Sequence, residues 1–93
     1  MPGICGTTIE VDLHAAPAFA AAMCAEVDWA DGPVVFIDCS SITSMDTSAV
    51  HALVYAHRYA LDHGHLLVAR NLQWNCVRTT QRCDRYNELR IET

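Results

Sequence analysis

The stretch Val34-Val35-Phe36-Ile37-Asp38-Cys39-Ser40-Ser41-Ile42-Thr43-Ser44-Met45-Asp46-Thr47-Ser48-Ala49-Val50 decides how the chain reads. It opens on a continuous apolar run released by the turn residues Asp31-Gly32-Pro33, the pattern of a central strand buried on both faces. Polar, short side chains from Asp38 to Asp46 then read as a loop, and a helical period sets in from about Thr47 to His63. Val50, Leu53, Val54, His57, Ala60 and Leu61 share one face of that helix, whereas His51, Tyr55, Arg58 and Asp62 point elsewhere. Gly64 is its natural C-cap. The strand His65-Leu66-Leu67-Val68-Ala69 follows at once, so strand, helix and strand form a right-handed crossover between parallel strands.

Upstream, the β-branched residues Ile4, Thr7, Thr8, Ile9 and Val11 suit a first strand over Ile4 to Val11. A helix starts near Ala16 in the alanine-rich run that follows, with Pro17 tolerated in its first turn, and Phe19, Met23 and Val27 form a stripe that can lie on a sheet. Downstream, Asn71 to Cys83 suits a third helix and Leu89-Arg90-Ile91 a last short strand. The order is β-α-β-α-β-α-β, an α/β fold. Its expected form is a small mixed sheet of about four strands with helices mainly on one face.

Ninety-three residues leave room for one domain, 1–93, with one modest core. The hydrophobic fraction of 52% against 18% charged argues that the chain folds. A formal charge of -5 with six Lys and Arg argues against nucleic acid, whose affinity rests on cations that neutralise phosphates. No apolar run has the length of a membrane helix and the N-terminus lacks the pattern of a signal peptide, so a cytoplasmic protein without direct membrane contact is expected. The five cysteines form no CxxC pair and are odd in number, which fits buried thiols in a reducing compartment. Cys76 and Cys83 lie two helical turns apart, about 10 Å, beyond disulfide reach unless the helix bends.

Chemistry concentrates where the polar loop meets the long helix. Asp46 is a plausible N-cap, and Thr47, with Ser48 as second choice, sits in the first turn beside unpaired N–H groups and the positive end of the helix dipole. A hydroxyl there is a reasonable phosphorylation site; the same three residues also serve simply to begin a helix.

Residues 34–67, from Val-Val-Phe-Ile-Asp through Met-Asp-Thr-Ser-Ala-Val to Gly-His-Leu-Leu, resemble the STAS domain, the anti-sigma factor antagonist family. That family has a buried strand ending in Asp, a loop, an Asp-Ser/Thr-Ser-Gly-Leu motif opening a helix, and a glycine before the next strand. Glu10-Val11-Asp12-Leu13-His14-Ala15-Ala16-Pro17-Ala18-Phe19 is similar to the family's Gly-Glu-(Ile/Leu)-Asp segment, whose Asp lies beside the phosphorylation loop, and Cys83-Asp84-Arg85-Tyr86 to its Leu-Asp motif before the final strand. The resemblance implies a protein that binds rather than catalyses and needs no cofactor. Its partner would be an anti-sigma factor that is also a Ser/Thr kinase of the GHKL ATPase class. Asp12, Asp46, Thr47, Ser48, Ala49, Val50 and His51 would form the partner surface, phosphorylation at Thr47 would release the partner, and a phosphatase would reset the cycle. The resemblance also implies other roles for such a domain: a subunit of an ABC-type transport or lipid-trafficking complex, or a stressosome-like scaffold subunit.

Three departures stand out. Ala49 replaces the family's Gly, setting a methyl where the partner's backbone would approach; Thr47 replaces the commoner Ser; and fewer residues precede Asp12 than the family usually spends on an N-terminal hairpin. A shortened N-terminal strand region would uncover a sheet edge and invite a homodimer. The histidines His14, His51, His57, His63 and His65 show no metal-ligand spacing, so no metal site is expected; His57 reads as a satisfied core residue and His51 as an interface residue. Cys39 with His51 makes a poor hydrolase in a chain with little room for a substrate pocket. Trp29 and Trp74 suit packing or protein contact better than base stacking, given the acidic balance.

Overall fold

A computed structural model describes residues 9–84 and 89–92. In chain order the elements are β1 (Ile9–Val11), α1 (Ala16–Asp28), β2 (Val34–Asp38), β3 (Ile42–Met45), α2 (Thr47–Asp62), β4 (Leu66–Arg70), α3 (Trp74–Cys83) and β5 (Arg90–Glu92). The expected α/β domain is present. Its strands form two ladders, β1-β3 and β2-β4-β5, and every pairing among the described residues is parallel. Residues 4–8 of the expected first strand, and with them the question of a shortened N-terminus, lie outside the described residues.

Two expectations about the strands need correction. The first concerns β2, which is buried on one face only: Val35 is inside, whereas Val34 and Phe36 are exposed. Helices cover one side of the sheet, with α1 on β2 and α2 on β4, while on the other side Arg70 lays its guanidinium 4.8 Å from the centre of the Phe36 ring. Arg70 is also held by Glu92, Nε to Oε1 2.9 Å, across the β4–β5 ladder.

The second is the loop from Asp38 to Asp46, which contains β3. The β1–β3 register steps from Ile9↔Ile42 to Glu10↔Ser44, leaving Thr43 as an extra residue, a bulge. Ile42 and Met45, three apart, are therefore the buried pair, and strict alternation is lost. The side chain of Asn75 on α3 donates to the carbonyl of Thr43 (2.9 Å), so the bulge is tied to the neighbouring helix.

The core lies between the helices and the covered sheet face, around Met23, Val27, Val35, Leu53 and Leu67. On α2 the inward stripe includes Ala49, Ala52, Ala56 and Ala60, whose small side chains let α1 pack closely against it. Leu61, expected inside, is exposed. The ends of α1 and α2 are joined by the Tyr59 hydroxyl donating to Asp28 Oδ1 (2.7 Å). After α2, Gly64 takes φ +81°, the left-handed conformation that ends a helix without Cβ strain.

Candidate functional site

The site is built at the ends of two adjacent parallel strands. Val11 pairs with Met45, and one residue further the backbone N–H of Asp46 donates to the carbonyl of Val11 (3.2 Å). Asp12 and Asp46 therefore follow neighbouring strand ends, and both carboxylates are exposed. Each is occupied in a turn of its own. Asp12 Oδ1 accepts from the N–H groups of His14 and Ala15 (both 3.0 Å), and its carbonyl accepts from Ala15 and Ala16, which bends the chain into α1. Asp46 is the N-cap of α2, with extended backbone and Oδ1 accepting from Ala49 N–H at 3.0 Å.

Thr47, the first residue of α2, is exposed, and Ser48 is half-buried. The N–H groups of this turn that Asp46 does not engage lie at the positive end of a sixteen-residue helix. The third neighbour was not foreseen. Cys83, at the end of α3, brings its thiol to 3.8 Å from Thr47 Oγ1 as a weak donor. No sequence signal links these residues; only the packing of α3 against β3 and α2 brings them together.

The structure divides the remaining expected residues. His51 is exposed, one turn along α2 from Thr47. Ala49 and Val50 are fully buried: both side chains turn into the core rather than onto the surface that Thr47 and His51 present. They shape the first turn from behind. His57 is buried as expected, but among the described residues its Nδ1 has no hydrogen-bond partner.

The thiols of Cys39 and Cys76 are fully buried, and Cys24, Cys39, Cys76 and Cys83 are all free. Burial first, then the charges of Asp38 and Cys76, pushes the Cys39 thiol up to about 12, and its Sγ donates to the carbonyl of Ile37. Such a thiol is a poor nucleophile, and His51 lies on the exposed side of α2, so the two make no catalytic pair. Cys76 and Cys83 lie on one unbroken helix, which keeps them apart. Among the described residues no three His, Cys, Asp or Glu side chains are grouped to hold a metal, and no helix is long and apolar enough to cross a membrane. Trp29 and Trp74 are largely exposed rather than packed.

A comparison with curated proteins returns no match. The sequence model of one family, described as the STAS domain, matches residues 5–93. Together with the parallel strands, the three helices and the Asp-Thr-Ser turn that opens α2, this match means that the chain belongs to the STAS domain family.

Proposed function

We propose that this STAS domain is an anti-sigma factor antagonist: it binds an anti-sigma factor that is also a GHKL-class Ser/Thr kinase, and phosphorylation of Thr47 ends the complex. It acts by binding and not by catalysis. The observation that carries this reading is the exposed Thr47 hydroxyl at the mouth of α2, with the carboxylates of Asp12 and Asp46 following adjacent strand ends. A kinase can reach that hydroxyl without unfolding anything. In the transfer, Thr47 Oγ1 attacks the γ-phosphorus of ATP, gives up its proton, and ADP leaves with the broken phosphoanhydride oxygen.

The direction of the switch follows from charge. A phosphothreonine carries about -1.5 to -2 at neutral pH. At the helix mouth alone it gains about 0.3–1 kcal/mol from the dipole. Enclosed by a partner beside two carboxylates, it loses hydration worth several kcal/mol, so the bound state suffers more than the free one.

The test is incubation with GHKL-class Ser/Thr kinases and ATP, followed by mass-spectrometric assignment of the phosphate. One phosphate on Thr47 is expected, with none on Thr47→Ala. Thr47→Glu should abolish partner binding while changing stability by no more than about 0.5 kcal/mol, as for an exposed position. Phosphate found only elsewhere, or binding that survives Thr47→Glu, would overturn the reading. Co-purification with an ABC ATPase without incorporated phosphate would favour the transport-subunit role instead.

A further inference from the structure

All six cationic side chains of this acidic chain are arginines, and two of them, Arg78 and Arg82, stand on the outer face of α3. With Trp74 they follow an i, i+4, i+8 spacing, which lines them up along one side of a helix with neighbouring Cβ atoms about 5–6 Å apart. Trp74 is 70% exposed and both arginines are exposed. Neither arginine pairs with a carboxylate among the described residues. Between these side chains, with Asn75 and Thr79, lies an open depression of about 280 Å³. Of the lining residues, Asn75 donates to the Thr43 carbonyl on β3 and the Thr79 hydroxyl donates to the Asn75 carbonyl.

We infer that the outer face of α3 is a docking surface for an acidic protein segment, one that sets two carboxylates on Arg78 and Arg82 and an apolar side chain against Trp74. Arginine forks match carboxylates two bonds at a time, and exposed Trp and Arg are the residue types that most often dominate protein contacts. Nucleic acid fits poorly, because two cations on a chain of charge -5 neutralise too few phosphates.

This assignment does not depend on a kinase, so it can fail or stand separately from the phosphorylation of Thr47. The test is titration of the isotope-labelled full chain with a synthetic amphipathic helix bearing two glutamates four residues apart beside a leucine. Its Glu→Gln analogue, a single-stranded oligonucleotide and anionic phospholipid vesicles serve as the other arms. The expected result is movement of the Trp74 indole and the Arg78 and Arg82 Nε–H signals by the Glu helix. Binding should weaken at least tenfold in Arg78→Gln/Arg82→Gln and with the Gln analogue, the thermal midpoint of the variant being unchanged. Signals that stay in place, equal binding by the double variant, or tighter binding of the oligonucleotide or vesicles at the same residues would overturn it.

Discussion

His57 shows how one side chain can be right in place and wrong in chemistry. It occupies the inward stripe of α2, where the helical period puts it, yet its Nδ1 finds no hydrogen bond among the described residues. An orphaned buried polar atom costs about 1–3 kcal/mol, so His57→Leu, which fits the stripe without that atom, should stabilise the domain by about 1 kcal/mol. Urea melts of the two proteins would decide it, and a lower midpoint for the leucine variant would mean that the ring makes a contact worth more than its orphaned nitrogen costs. Ala49 carries a related lesson. The family resemblance implied a contact residue, but position along a helix sets direction, and two residues past Thr47 the side chain already faces the core.

At the level of single elements, α2 was legible and β3 was not. The helix advertises itself through a period of apolar residues, a capping aspartate before it and a glycine after it, and the structure returns all three. The cap can be weighed. Asp46→Ala removes the acceptor for Ala49 N–H and should cost about 1 kcal/mol, whereas Asp46→Asn keeps a capping oxygen and should melt within a few tenths of wild type. Chemical denaturation of both variants checks this, and equal losses for Ala and Asn would show that charge rather than capping is what Asp46 supplies. β3 hid because its bulge at Thr43 spaces the buried residues Ile42 and Met45 three apart, so four residues carry no period of two. β2 misled in the opposite sense: an unbroken apolar run normally means burial on both faces, but here Phe36 stays exposed with only the guanidinium of Arg70 set over its ring, which no local pattern announces. The contact between Cys83 and Thr47 was equally unreadable, since it exists only once α3 is docked.

For the molecule as a whole, the buried thiols set a limit on the alkaline side. The folded Cys39 holds its proton up to about 12, against 9.0 for an unperturbed thiol, and Cys76 is shifted in the same direction by burial. A raised folded value means that the stability from burying the neutral thiol is fully present below pH 9. Above that, the unfolded chain ionises while the native one does not, and stability falls until the folded thiol itself titrates. The slope from Cys39 approaches about 1.4 kcal/mol per pH unit in that window. Urea melts at pH 8, 9 and 10 should show the decline, and Cys39→Ala should flatten it; an unchanged slope in that variant would assign the alkaline loss to other groups.

The junction of β3 and α2 has a consequence for how a signal would be read. Met45 ends the ladder, Asp46 is pinned to Val11, and the next residue is Thr47, so no slack chain separates the sheet from the hydroxyl. A phosphate added there has nothing loose to reorganise. The modified domain would keep its outline and change only its local voltage, leaving the burden of discrimination to whichever molecule comes to inspect it.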